Sequence, residues 1–205
     1  MSLFRDLTIN KNSTSPITIV GTLTNNNGVY SGFSPSNYLL LNPNNQFTDY
    51  TENASSWEVV FKFTYAASSA SYNYNGRQLI YSQGASYGCS FGVANGKLII
   101  GLSNTDGANS IGARGGSTTL VAGNTYWYKA EFTGSAYKMY LSTNGADYTQ
   151  EGSTITSSTR LTPRGVWAIG RNVNGASDLY SYAWQGSIDI NNSYIKMNDK
   201  YWWKG

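Results

Sequence analysis

Two stretches of the chain set aromatic rings among amides and hydroxyls: Ser71-Tyr72-Asn73-Tyr74-Asn75 and Leu179-Tyr180-Ser181-Tyr182-Ala183-Trp184. A saccharide offers apolar C–H faces and many hydroxyls. Tyr and Trp suit such a ligand, because each joins an apolar body to a polar tip. Arg171, Asn172, Asn174 and Asp178 stand in the same stretch as Tyr180 and add hydrogen-bonding groups. Tyr72, Tyr74, Tyr180 and Tyr182 are therefore the ring candidates for ligand binding. Trp184 reads instead as a packed strand residue. Arg114, in Gly112-Ala-Arg-Gly-Gly116, is either a contact for an acidic sugar or a solvated loop cation.

Calcium is the one metal worth testing. Asn104, Asp106 and Asn109 offer oxygen ligands around Gly107, as a hard cation prefers. Only one of these ligands is charged and no bidentate Glu follows, so a plain Asn/Gly loop is the competing reading and no cofactor is expected.

Catalysis finds little to work with. The chain has no histidine, which removes a Ser-His-Asp triad, a His-based metal site and the commonest general base. Glycoside hydrolysis needs paired carboxylates across the scissile bond. Glu occurs only at 52, 58, 131 and 151, with no Glu-x-Asp-x-x-Glu spacing. Asp189 stands alone between Ile188 and Ile190, as a site carboxylate or as an outward strand residue or turn anchor. The expectation is a protein that is not an enzyme.

The elements that must position these residues are strands. Helical periodicity is nearly absent, and short alternating runs are broken by Gly, Asn and Ser. In Trp57–Tyr65 the residues Trp57, Val59, Phe61, Phe63 and Tyr65 share one face, and Glu58, Lys62 and Thr64 the other. Period two with one wet face signals an antiparallel sheet. Tyr126–Thr133 repeats it, with Tyr126, Tyr128, Ala130 and Phe132 inward. Asn95-Gly96 and Asn144-Gly145 read as two-residue type I′ hairpin turns. Further strands are expected at Ile17–Thr24, before a turn at Asn25–Gly28, and at Tyr38–Leu41, Gly165–Gly170 and Ser187–Ile190. The end of the chain reads as two short strands joined by Asn191-Asn192, with Trp202-Trp203 as a lid over the core. About twelve strands are expected in all, the number of a sandwich. Residues 66–77, 103–117 and 171–182 read as long loops, where function usually sits on a rigid scaffold.

Totals agree with one all-β domain of 205 residues, large enough to bury roughly 70 % of its unfolded surface. The fold class is a two-sheet antiparallel β-sandwich, or jelly roll, over residues 16–205, with residues 1–15 an arm or attachment segment. A net charge of +3, with 14 scattered cations, argues against nucleic acid. The lone Cys89 cannot form an internal disulfide and reads as a small buried hydrophobe. No apolar run approaches the ~20 residues of a membrane helix. The start lacks a cationic stretch followed by an apolar one, so synthesis in the cytoplasm without a signal peptide is expected.

Three pieces carry a family resemblance: Trp57–Tyr65; Tyr126–Phe132 with the hairpin Lys138–Gly145; and Trp184–Gly205. They resemble the concanavalin A-like lectin/glucanase superfamily in its laminin G-like branch. The ending Gly-Ser-Ile-Asp-Ile…Tyr-Ile-Lys…Trp-Trp-Lys-Gly is similar to domains of phage virion proteins, such as head or tail fibres. The resemblance implies a jelly roll that binds a glycan or protein at a sheet face or rim. On that basis the expected role is host adhesion through a surface glycan, with the protein on the virion. Other virion subunits are expected partners, and a homo-oligomer such as a trimer is the expected assembly. A decoration protein that contacts only other subunits is the alternative, as is a carbohydrate-binding module at a bacterial cell surface.

Overall fold

The computed structural model describes residues 17–41, 54–68, 73, 76–83, 88–103, 111–161, 167–172 and 181–205. The proposed arm at 1–15 lies outside them. In chain order the strands are β1 (Ile17–Val20), β2 (Thr24–Asn26), β3 (Val29–Ser31), β4 (Tyr38–Leu41), β5 (Trp57–Thr64), β6 (Gln78–Gln83), β7 (Gly88–Ala94) and β8 (Lys97–Ser103). They continue with β9 (Gly112–Gly115), β10 (Thr125–Phe132), β11 (Ala136–Ser142), β12 (Thr149–Thr156), β13 (Trp167–Ile169), β14 (Ser187–Met197) and β15 (Lys200–Lys204).

They form two antiparallel sheets. A seven-stranded sheet runs β1-β4-β13-β6-β7-β8-β9. An eight-stranded sheet runs β12-β11-β10-β5-β14-β3-β2, with β15 added beside β14. The expected jelly-roll sandwich is what the chain forms. Both inward patterns hold as read: Trp57, Val59, Phe61 and Phe63 on β5, and Tyr126, Tyr128, Ala130 and Phe132 on β10, are buried. Aromatic rings fill the space between the sheets. Phe61 stacks on Tyr81 at 5.7 Å, and Tyr81 on Phe91 at 5.3 Å. Trp184 meets Phe63 edge-on at 5.2 Å, so it is a packed residue. Trp203 is buried against Phe61, which makes it the expected lid; the Trp202 side chain lies outside the described ones. Cys89 is fully buried, and that burial pushes its thiol well up.

Four details depart from the sequence reading. The run Ile17–Thr24 is not one strand. β1 belongs to the first sheet and β2 to the second, and the crossing at residues 21–23 is held by the Thr22 amide donating to Asn37 Oδ1 at 3.0 Å. Asn25 and Asn26 lie in β2, and only Asn27-Gly28 makes the turn. The stretch 103–117 contains β9, so Arg114 lies on a strand and not in a loop. Lastly, Asn191-Asn192 does not join two strands. β14 is continuous, with a bulge.

That bulge has a clear cause. Lys62 of β5 pairs with Asp189, and Val60 pairs with Tyr194. β5 advances two positions while β14 advances five, so three extra residues are accommodated. Asp189 anchors them. It accepts from the Asn192 amide at 3.2 Å and from Asn192 Nδ2 at 2.9 Å, while its carbonyl accepts from Ser193 Oγ at 2.6 Å. Lys62 Nζ closes the arrangement 2.9 Å from Asp189 Oδ2. The turn-anchor reading of Asp189 is the one realised.

Of the two hairpin turns, Asn95-Gly96 forms as read and Asn144-Gly145 does not. Asn95 and Gly96 have φ of 50° and 73°, the left-handed pair that a type I′ turn needs. Of Asn144 and Gly145 only Gly145 is left-handed, at 77°. There residues 143–148 form a longer connection, folded around Asn144 Oδ1, which accepts from the Ala146 and Asp147 amides at 2.9 Å each.

One side of the sandwich is closed by a buried carboxylate. Glu151 of β12 accepts from the Ser117 and Thr118 amides at 2.7 and 3.0 Å, and from their hydroxyls at 3.1 and 2.5 Å. This joins the edge of one sheet to the segment leaving β9 at the edge of the other. Burial alone would raise the Glu151 carboxyl; the four hydrogen bonds outweigh it and hold the group below its ordinary value. A depressed carboxylate stabilises the fold fully above its unfolded pKa, and the contribution is lost as pH falls through the folded one. Glu151→Gln should therefore lower stability near neutral pH by about 2 kcal/mol. It should also flatten the acid limb of stability below about pH 4.5, as measured by urea unfolding across pH. A variant whose acid limb matches that of the parent would remove this assignment.

Candidate functional site

Two regions gather polar and aromatic groups: one rim of the sandwich, and the outer face of the eight-stranded sheet.

The rim lies where the stretches 66–77 and 171–182 meet. Asn73 is buried and donates through Nδ2 to the Ala183 carbonyl at 2.8 Å and to Ser68 Oγ at 2.6 Å. Gln78 donates to the Ala66 carbonyl at 2.8 Å and accepts from the Gln185 amide at 2.9 Å. The Leu79 amide donates to the Tyr182 carbonyl at 2.8 Å, and the Arg77 guanidinium sits 5.0 Å from the Tyr182 ring. The Asn172 amide donates to the Ser181 carbonyl at 2.6 Å, pinching the base of the second stretch. The two loops singled out in the sequence are thus tied together at their bases.

Of the ligand candidates, Arg114, Arg171, Asn172 and Tyr182 are described; Tyr72, Tyr74, Asn174, Asp178 and Tyr180 lie outside the described residues, as do Asn104, Asp106 and Asn109. Arg171 donates from Nε to the Asn172 carbonyl at 2.7 Å and from NH1 to the Pro35 carbonyl, and lies 4.8 Å from the Tyr38 ring. Its guanidinium braces the loop base against β4. Asn172 Oδ1 accepts from Ser82 Oγ at 3.2 Å. Tyr182 has a left-handed backbone, φ 46°, a conformation rare for a bulky residue and one that tends to occur at functional positions. Arg114 is exposed on β9 and donates to the Ala113 carbonyl at 2.9 Å, away from the rim residues of 181–185 in sequence and sheet order. Asn73 Oδ1, Ser181 Oγ and Arg77 Nε are buried and find no hydrogen-bond partner among the described residues. Buried polar atoms are rarely left so.

The outer sheet face was not singled out in the sequence. It displays Glu58 and Lys62 from β5, Trp127, Lys129 and Glu131 from β10, Tyr140 from β11, Tyr194 and Lys196 from β14, and Tyr201 from β15. Register sets Glu58 directly opposite Glu131, an arrangement that repels unless countered. Tyr194 donates to Glu58 Oε1 at 2.6 Å and Tyr140 to Glu131 Oε1 at 2.5 Å. Lys129 lies between them, 3.8 Å from Glu58 and 3.7 Å from Glu131. Burial, then the bond to Glu131, pushes the Tyr140 phenol up, and burial with the bond to Glu58 does the same at Tyr194. Both tyrosines therefore remain neutral donors. A cleft of about 280 Å³ opens at one end of this face, lined by Ser56, Glu58, Glu131, Thr133, Lys196 and Asp199 among others. Alternation along β5 and β10 already marked these side chains as outward. What the sequence lacks is the register that sets the two glutamates opposite each other.

No family model matches the chain, and no curated protein matches it. Solved structures do. A botulinum neurotoxin type C structure, described as entering cells through interaction with two ganglioside molecules, matches with a TM-score of 0.60 at 14 % identity, over 89 % of this chain and 43 % of that one. The receptor-binding domain of the C/D mosaic botulinum neurotoxin gives 0.56 at 12 %, over 86 % and 44 %. The LG1-3 region of the laminin α2 chain gives 0.55 at 11 %, over 80 % and 30 %. The chain spans less than half the length of these structures. The likeness is one of fold alone: a two-sheet antiparallel β-sandwich shared with the neurotoxin structures and the laminin region.

The 143–148 connection walls one side of the outer face. A Cβ on Gly145 would meet the Trp127 indole at 2.8 Å, and φ there is 77°. Gly145→Ala should lower stability by roughly 1–3 kcal/mol and shift the Trp127 fluorescence. An unchanged denaturation midpoint would contradict this packing.

Proposed function

We propose that this chain is a non-enzymatic, lectin-like module that binds a glycan at the rim where stretches 66–77 and 171–182 meet. The observation that carries the reading is the joining of those two stretches at a site where three buried polar atoms, Asn73 Oδ1, Ser181 Oγ and Arg77 Nε, find no hydrogen-bond partner among the described residues. A ligand dense in hydroxyls is the natural complement to such atoms, and Tyr72, Tyr74 and Tyr180 bring rings into the same stretches. Support also comes from the fold shared with a botulinum neurotoxin receptor-binding domain and with a botulinum neurotoxin type C structure whose cell entry is described as dependent upon interaction with two ganglioside molecules. Neither glutamate pair chemistry nor a histidine offers a route to bond cleavage. Glu58 and Glu131 are each engaged by a tyrosine hydroxyl and by lysines.

The setting we propose is a phage particle, on the resemblance carried by Trp184–Gly205. Repeated copies would turn weak single-site binding into firm host adhesion. The test is a glycan array probed with the chain displayed multivalently. Binding to a defined glycan should fall at least tenfold in Tyr180→Ala and in Tyr72→Ala. Silence on every glycan, with the fold intact by circular dichroism, would overturn the reading and favour a subunit that contacts only other virion proteins.

A further inference from the structure

The outer face of the eight-stranded sheet distributes its hydrogen bonds unevenly. Its carboxylates receive their short bonds from tyrosine hydroxyls, at 2.5 and 2.6 Å. Its ammoniums stay farther off. Lys129, Lys138 and Lys196 lie 3.7–3.8 Å from the glutamates, beyond hydrogen-bonding range. Lys62 is different, since it is held by Asp189 at 2.9 Å. The loose lysines instead sit over rings. Lys129 is 4.3 Å from the Tyr140 ring centre; Lys196 is 4.9 and 4.8 Å from those of Tyr194 and Tyr201; Lys204 is 5.2 Å from that of Tyr201. The ammoniums of Lys129, Lys138 and Lys196, with no hydrogen bond among the described residues, thus face two glutamates already bonded by phenols, while Lys204 lies over the Tyr201 ring beside them. Tyr201 is 48 % exposed at the margin of this array.

We propose that this face binds an acidic oligosaccharide, its sugar rings lying along Tyr194 and Tyr201 and its acid groups paired with Lys129, Lys196 and Lys204. The proposal deepens the glycan-binding reading and rests on it, but assigns the acid groups to a surface other than the rim. Charge complementarity selects the ligand. A charged acid group takes strong hydrogen bonds from ammoniums. The hydroxyls between acid groups can donate to Glu58 and Glu131. A DNA backbone, charged at every residue but without free hydroxyls, would set phosphates against those glutamates and offer them no donor. Insertion into a membrane would require an apolar face, and this one is laced with charge.

The experiment is binding of the full chain to an immobilised panel of neutral, uronate-, sialate- and sulfate-bearing oligosaccharides, with oligogalacturonate and its neutral methyl ester as a matched pair. Acidic members should bind, and binding should weaken as salt rises. The ester should bind at least tenfold more weakly than the acid. Lys196→Gln with Lys204→Gln should weaken acidic binding about tenfold and leave neutral binding unchanged. Tyr201→Ala, at an exposed position, should weaken it without unfolding the chain. Neutral glycans bound while acidic ones gain nothing, or acidic binding untouched by the lysine pair, would overturn the inference and leave the rim reading standing. Acidic phospholipid vesicles bound through the same lysines, with no acidic saccharide bound, would also overturn it. No glycan bound at all would overturn both.

Discussion

The stack of Phe61, Tyr81 and Phe91 is the contact on which the rest depends. Phe61 comes from the eight-stranded sheet, and Tyr81 and Phe91 from the seven-stranded one. Rings at these distances are both attractive and incompressible, so they fix the gap between the sheets. Trp57 and Tyr128 extend the seam from one side at 6.3 and 5.5 Å from Phe91, and Trp203 caps the other at Phe61. With the gap fixed, the edges meet closely enough for Glu151 to bridge them. The rim and the outer face are likewise held on an unyielding frame.

The two surfaces solve their polar problems in opposite ways. On the outer face, antiparallel register forces Glu58 against Glu131, and phenols, not ammoniums, take up the closest positions. That choice neutralises nothing but satisfies the lone pairs, and it leaves positive charge at the periphery. At the rim the reverse holds. Backbone and amide groups join two stretches tightly, while Asn73, Arg77 and Ser181 each keep a buried polar atom with no hydrogen-bond partner among the described residues.

The sequence revealed the core because alternation reports burial directly. β5 and β10 could be assigned face by face, and the Asn95-Gly96 turn by its conformational demands. It could not reveal where a run changes sheet. Ile17–Thr24 alternates as one strand, yet Gly21–Leu23 carries the chain from one sheet to the other. Nor does alternation count insertions: Asn191-Asn192 looks like a turn until Asp189 is seen to hold three extra residues inside β14. The tyrosine-bearing loops were legible as composition. The convergence of their bases was not, because the Asn73 to Ala183 bond spans 110 positions.

The position of β5 has a consequence for how the chain is made. It lies between β10 and β14, and Val60 pairs with Tyr194, about 130 positions later. At ribosomal speeds of 5–20 residues per second, β5 waits on the order of ten seconds before its second neighbour exists. During that interval an apolar strand carrying Val59, Val60, Phe61 and Phe63 presents one unpaired edge, the kind of edge that recruits other chains. Nascent copies on one polysome would be exposed to one another at that stage. Completing the sheet therefore waits on the synthesis of β14, and a holding chaperone at the ribosome exit would shield the open edge of β5 until then.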